Sequence, residues 1–378
     1  MNPASPHPAP GGLKLFWARV TDGVALNDLW GQFRAEARSS YELYSNEVDW
    51  TRQTGESRGR RFLRVASSLF WAMLMKRSPG RRLLFLLGMV LLAAPGFRIQ
   101  SANWVFETPN LSILGGAALV ALLALELADR VVMKRDLEIA REIQSWLMPS
   151  APPSLPGAEI AFATRPANTV AGDYYDAFFR NTEDGQRLLL VVADVAGKSI
   201  PAAMLMATMQ ASLRTLAAMP GPLLEVAERL NRYACAQNPS GRRFTTAFLA
   251  EYEPALGRIT YVNAGHNFPV LRRASGAVER LEVGGIPLGI LQQTSYEIGE
   301  ATLGAGDLLI VFTDGLVEAE NERKDEYGEP RMLSLIAGMG GASAAEALRR
   351  MLLSVEAFAG HTRQHDDITF LLLRKTSA

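Results

Sequence analysis

Cysteine is nearly absent from this 378-residue chain, with Cys235 its sole representative, and neither charge is in excess. One thiol cannot close an internal disulfide or furnish a cysteine-rich zinc site, which suits a catalytic part facing a reducing cytosol. With 39 Lys plus Arg against 39 Asp plus Glu there is no basic field to hold nucleic acid, so no nucleic-acid partner is expected. The opening "MNPASPHPAPGG" lacks the basic start and apolar core of a cleaved signal peptide and reads as a flexible tail. Apolar residues, by contrast, are plentiful: at 48% they allow a sizeable core in one large domain or two ordinary ones.

Two uncharged stretches stand out, residues 83–97 ("LLFLLGMVLLAAPGF") and 108–125 ("TPNLSILGGAALVALLAL"). The second is long enough to span a bilayer, and the first can do so only with tilt or local thinning. Lys76, Arg77, Arg81 and Arg82 precede the first, and Arg130, Lys134 and Arg135 follow the second, whereas Arg98 and Glu107 are the charges between them. That asymmetry predicts a transmembrane hairpin over 81–126 with both ends in the cytoplasm, placing the protein in the inner (cytoplasmic) membrane as a multi-pass chain. Residues 1–80 form an N-terminal cytoplasmic region in which no motif is found. From 127 to 150 a linker helix carries Met133, Leu137, Ala140, Ile143 and Leu147 on one stripe. The stripe needs a partner, either the following domain or a second copy in a homodimer.

From about residue 151 to 376 the texture changes to short β-rich runs, among them "AEIAFAT", "RLLLVVADV", "TTAFLAEYE", "DLLIVFTD" and "DITFLLLR". Apolar helices are expected near 200–219, 222–237 and 343–358, the last opened by a capping-box pair, Ser343 and Glu346. Helices set between groups of strands predict an α+β layered sandwich.

Within this domain, apolar strands lead repeatedly to acids. "LLLVVADVAG" ends on Asp194, "LLIVFTDG" ends on Asp314, and "HDDITFLLL" begins with Asp366 and Asp367. If the third strand runs antiparallel to the others, all meet at one sheet edge. "AGDYYDAFF" adds Asp173 and Asp176; alternation sends them to opposite faces, and Asp173, beside Gly172, is the one expected at the common centre. Each acid alone is an ordinary turn residue, "TDG" included, but turn propensity does not place acids after apolar strands at three separated sites. Clustered buried carboxylates repel one another and take up protons unless a cation intervenes. Oxygen ligands without a Cys or His set suit Mg²⁺ or Mn²⁺, and this many acids could hold two ions bridged by one carboxylate. Such a pair activates water and clamps a phosphoryl group.

Other residues carry less. In "DVAGKSIPAAM", Gly197 allows a tight corner, Ser199 can cap the following helix and Pro201 fits its first turn; Lys198 could meet a phosphate or simply be solvated. His266 in "NAGHNFP" and His365 beside Asp366 read as structural hydrogen-bonders.

Taken in order, "AGDYYDAF", "ADVAGKSIPAAM", "NAGHNFP", "GIPLGI", "VFTDGLVEAEN" and "HDDITFLLL" resemble the stage II sporulation protein E type of the PPM metal-dependent Ser/Thr protein phosphatases. The likeness runs from about residue 138 to 375. It implies a β-sandwich of two sheets flanked by helices, two Mn²⁺ or Mg²⁺ ions at one edge, and hydrolysis by activated water without a phosphoenzyme. By motif Asp194 corresponds to the bridging ligand with the Val195 carbonyl beside it, Asp314 and Asp366 to further ligands, and Asp173 to support of the second ion, with Asp367 adjoining the set. Eukaryotic-type PPM members place a histidine just after the bridging aspartate; this chain has "DVAGK", so the leaving-group acid is unassigned. The resemblance also implies a phosphorylated regulatory protein as substrate, an anti-anti-sigma factor among the candidates. Two other readings compete: a membrane-linked nucleotidyl cyclase, whose metal acids should both lie early in its domain, and an inactive scaffold that binds a regulator.

Overall fold

The computed structural model describes residues 67–377, apart from 68, 69, 72, 73, 76, 95, 97, 102, 103, 108, 184 and 239–242; the expected tail and most of the N-terminal region fall outside the described residues. The chain divides into two compact units, Met1–Arg130 and Val131–Ala378.

In the first unit, helix α1 (Pro79–Leu92) is followed by a two-stranded antiparallel ribbon, β1 (Arg98–Ser101) with β2 (Trp104–Glu107), and then by the start of helix α2 (Ser112–Leu147). The expected first span therefore stops early. Fourteen helical residues rise about 21 Å, short of a hydrocarbon core of about 30 Å, because the chain leaves the helix at Ala93 ahead of Pro95. The helices touch through glycine: a Cβ on Gly115 would lie 2.7 Å from the Gly88 carbonyl oxygen and 2.3 Å from Leu92 N. Small residues at such a contact let two backbones close up. At the opposite end Arg81 pairs with Asp129 at 2.5 Å, and Arg77 with Glu126 at 3.5 Å.

The second unit is a sandwich of two five-stranded antiparallel sheets. The first has the order β10-β7-β6-β5-β4, built from β4 (Tyr174–Thr182), β5 (Gly185–Val195), β6 (Thr245–Glu253), β7 (Arg258–Ala264) and β10 (Gly299–Thr302). The second, β3-β12-β11-β8-β9, uses β3 (Ala158–Arg165), β8 (Val270–Arg272), β9 (Val278–Arg280), β11 (Leu308–Phe312) and β12 (Ile368–Lys375). Helices α3 (Ile200–Ala217) and α4 (Leu223–Gln237) cover the outer face of the first sheet, and α5 (Glu329–Ala337) and α6 (Ala344–Ala359) that of the second.

Both faces of each central strand are buried, which is why these strands read as unbroken apolar runs rather than alternating ones. In β5, Leu189, Val191 and Ala193 meet Met206 and Leu213 of α3, while Leu188, Leu190 and Val192 meet Leu309, Val311 and Leu371 across the sandwich. In the second sheet Ile310, Phe312 and Phe370 turn to Met332, Ile336 and Met351 of the flanking helices. A one-residue slip in β5 would exchange its two faces, so the packing on each side fixes the register.

Local expectations divide. Ser343 does cap α6, accepting from Glu346 N at 3.2 Å. Ser199 does not cap α3: at φ +67°, ψ −149° it is outside the extended region a capping residue uses, and its side chain makes no cap bond. The linker stripe is also split. Leu137, Ala140 and Leu147 are half-buried, whereas Met133 and Ile143 are exposed together with Val132, Ile139 and Trp146.

Candidate metal centre

Strand direction gathers the acids. Strand β5 ends where β4 begins, Tyr174 pairing with Ala193, and β11 ends where β12 begins, Phe312 pairing with Phe370. Asp173 and Asp194 thus come from the first sheet and Asp314 and Asp366 from the second, meeting across one edge of the sandwich. The expectation of a single shared sheet edge is corrected in that respect: β5 and β11 lie in different sheets.

Their proximity is expressed in proton affinity. Asp194 is pushed up to about 7, first by burial and then by the charges of Asp314 and Asp366. Asp173, 1% exposed, is held well above the ordinary carboxylate range by burial and then by Asp194. Asp314 is raised by burial and by Asp366. Glu318, which lies within "VFTDGLVEAEN" but is not among the expected ligands, is raised by burial and then by Asp314 and Asp366. It follows Asp314 by one helical turn, with its N–H donating to the Asp314 carbonyl at 3.0 Å; the signal available was its i+4 spacing. The cation that meets this cluster among the described residues is Lys198, whose Nζ is 3.0 Å from Asp366 Oδ2 and donates to the His365 carbonyl at 2.8 Å.

Hydrogen bonds fix the frame. Thr313 Oγ1 lies 2.9 Å from Asp173 Oδ2 and accepts from Thr369 N at 2.9 Å, joining the starts of β4 and β12. The Asp367 carboxylate accepts from Ala167 N at 2.7 Å on one oxygen and from Gly172 N at 2.6 Å on the other, so it grips the segment that leads into Asp173. Gln144 of α2 grips the same segment, donating to the Ala171 carbonyl at 2.7 Å and accepting from Ala171 N at 2.9 Å. A Cβ on Gly172 would stand 3.2 Å from the Val195 carbonyl oxygen, so glycine is what permits this close approach.

Asp176, placed by alternation on the other face, is there: fully buried, it accepts from Arg214 Nε and Nη2, both at 2.8 Å, and from Tyr174 Oη at 2.5 Å. His266 is 4% exposed, has Nδ1 3.0 Å from Thr246 Oγ1, and is pushed down to about 4 by burial. Burial therefore keeps it neutral near pH 7. His365 is exposed at 3.6 Å from Glu320.

Among the described residues no three or more His, Cys, Asp or Glu side chains are grouped closely enough, as placed, to hold a metal ion. The donor set nevertheless fits a divalent cation: four carboxylates face one edge, three with raised proton affinity, with one lysine to offset them.

A family model described as stage II sporulation protein E (SpoIIE) matches residues 184–376, which include Asp194, Asp314 and Asp366. The chain belongs to the SpoIIE family. Over 248 residues it is 30% identical to the phosphoserine phosphatase RsbU of Bacillus subtilis, a match covering 64% of this chain and 71% of RsbU. It is 26% identical to protein IcfG of Synechocystis over 66% of this chain and only 43% of IcfG, so it spans less than half of that relative. The solved RsbU and RsbW domains of Rv1364c from Mycobacterium tuberculosis superpose with a TM-score of 0.52 at 26% identity, covering 61% of this chain and 64% of that one. The SiaA-PP2C domain of Pseudomonas aeruginosa, at 20% identity and a TM-score of 0.56 over 65% of this chain and 98% of that one, shares the fold, so the sandwich is a SpoIIE-type domain of PP2C-like fold. A nucleotidyl cyclase does not describe this fold.

Proposed function

We propose that the protein is a membrane-anchored, metal-dependent phosphatase that hydrolyses phosphoserine or phosphothreonine on a regulatory protein. The observation that carries the reading is the meeting of Asp173, Asp194, Asp314 and Asp366 at one edge of the sandwich, where burial and neighbouring carboxylates hold Asp173, Asp194 and Asp314 against ionisation. Asp194, between the two sheets, would bridge two ions, with the Val195 carbonyl beside it. Asp314 and Asp366 would complete one site and Asp173 would support the other. Asp367 adjoins the ligands by motif position; with both oxygens on backbone amides we assign it to holding the Asp173 segment. Mn²⁺ or Mg²⁺ bound here would activate water and neutralise the phosphoryl oxygens. Lys198, released from Asp366 when that carboxylate takes a cation, would face the phosphate. The substrate is a phosphorylated regulatory protein in line with RsbU being a phosphoserine phosphatase, with an anti-anti-sigma factor as the specific candidate. Retention of all four acids argues against an inactive scaffold.

Linkage gives a test independent of turnover. Asp194 has a folded-state value of about 7, above its ordinary value of about 3.9. Its contribution to stability is therefore complete below the unfolded value and is lost as pH rises through about 7. A divalent cation opposes that loss, so Mn²⁺ should raise the melting temperature more at about pH 8 than at about pH 5. Equal shifts at both, measured by differential scanning fluorimetry, would remove these acids from the ion site.

Anchoring is supported by the apolar part of α2, where only 11% of the most hydrophobic window is buried and Ile113 and Val120 are 79% and 67% exposed. Helix α1 would complete the hairpin by local thinning of the bilayer. The full chain should stay with membranes through alkaline carbonate; complete release without detergent would contradict the anchor. The exposed Val132, Ile139, Ile143 and Trp146 are the face through which two linker helices would pair in a homodimer.

A further inference from the structure

Phosphate chemistry explains the acids but not what holds the rest of a phosphoprotein beside them. A cleft of 560 Å³ lies next to the metal edge, lined by Lys134, Glu138 and Arg141 of α2, by Asn168, by Ser199 and by Arg363. It shares two walls with the candidate centre. The segment carrying Asn168 is pinned at both ends by Asp367, through Ala167 N and Gly172 N. Ser199 adjoins Lys198, which reaches Asp366.

Three of the lining side chains are cationic and one is anionic. The pairings within the cleft are weak. Lys134 and Glu138 are 4.0 Å apart and largely exposed, and Arg363 reaches Asn168 Oδ1 at 3.4 Å. Arg141 makes no hydrogen bond or ion pair among the described residues. Exposed pairs of this kind contribute little, so the cleft keeps a net positive field, and a concave wall of one sign concentrates opposite charge. Guanidinium forks suit carboxylates by geometry as well as charge.

We propose that this cleft is a specificity site that takes an acidic segment flanking the phosphorylated residue of the substrate. The proposal rests on the phosphatase reading and names the substrate feature which that reading leaves open. A phosphoserine carries almost two negative charges into an edge rich in carboxylates, and cations one step away favour chains that are acidic beside it. An anionic lipid surface would meet the same cations, but the walls formed by residues 167–170 and Ser199 belong to the loops of the metal edge, which favours a substrate chain.

The test uses the full chain in detergent with Mn²⁺ and two synthetic phosphoserine peptides of equal length, one flanked by Asp and Glu, the other by Lys. Wild type should prefer the acidic peptide in kcat/KM by on the order of tenfold at low salt, a preference that shrinks as salt is raised. Arg141→Glu and Arg363→Glu should abolish or invert that ratio, chiefly through KM, and the milder Arg141→Gln should reduce it. An unchanged ratio in all three variants overturns the proposal. So does loss of binding to phosphatidylserine vesicles with an unchanged peptide ratio, which would give the cleft to a membrane. If wild type shows no metal-dependent turnover of p-nitrophenyl phosphate, the phosphatase reading itself fails, and this proposal with it.

Discussion

Asp194→Asn is expected to lower Mn²⁺-dependent turnover of p-nitrophenyl phosphate by on the order of 10²–10³-fold, the scale on which one preorganised charged group in a transition-state site is felt. Asparagine keeps the size and one oxygen but loses the charge, so it cannot bridge two cations. Asp194 occupies the next-to-last position of β5, opposite Thr246, and faces Asp314 and Asp366 across the sandwich, so its loss weakens both halves of the centre together. Removing its charge also removes repulsion from a cluster that burial already penalises. The variant without added metal should therefore melt no lower than wild type, and at neutral pH it should melt higher. A folded Asp194→Asn protein with undiminished turnover would overturn the assignment; a drop in both turnover and apo stability would mark the residue as structural.

Gly315→Ala should be as damaging by a different route. The glycine of "TDG" looks like a turn residue, yet it is not among the glycines with positive φ. Its requirement is space: a Cβ there would lie 2.1 Å from the Asp367 carbonyl oxygen and 3.2 Å from the Asp366 carbonyl carbon. Those are backbone atoms and cannot swing aside. The turn after β11 must separate from the chain entering β12, which carries Asp314 away from Asp366. Forced overpacking costs about 1–3 kcal/mol, so a clear fall in melting temperature should accompany near-complete loss of turnover. Alanine at Gly276, a positive-φ position with open space around it, is a control for backbone strain away from the edge. If Gly315→Ala melts and turns over like wild type, the close approach is not needed.

These two positions differ in how much of their role is legible in the sequence. Acids at the ends of apolar runs are legible because a buried strand has no local reason to finish on a carboxylate, and the strands themselves are legible because both faces are packed. What cannot be read depends on partners distant along the chain. The grip of Asp367 on Ala167 and Gly172 spans about 200 residues and ends on backbone amides, which leave no mark in a side-chain pattern. Gln144, on a helix whose sequence shows mainly an apolar stripe, pairs with backbone in the same way. Strand β10, "GEAT", has neither apolar run nor alternation and exists because β7 offers it a ladder. Helix α5 is nine residues long, too short for its period to stand out. The first apolar stretch misleads by length: its composition continues to residue 97, but the helix ends at Leu92.

The acids also occupy particular places along their strands. Asp173 precedes β4, Asp314 follows β11, and Asp366 precedes β12, so only Asp194 belongs to a paired strand. The three apolar clusters are complete without any of them. If these acids hold ions as proposed, ion loss should loosen a rim and leave the body intact, so that the metal-free protein would be a folded reserve rather than a casualty. On the proposed metal-dependent reading, a cell whose free divalent cation rises and falls could idle such a protein and set it working again without unfolding, degrading or remaking it.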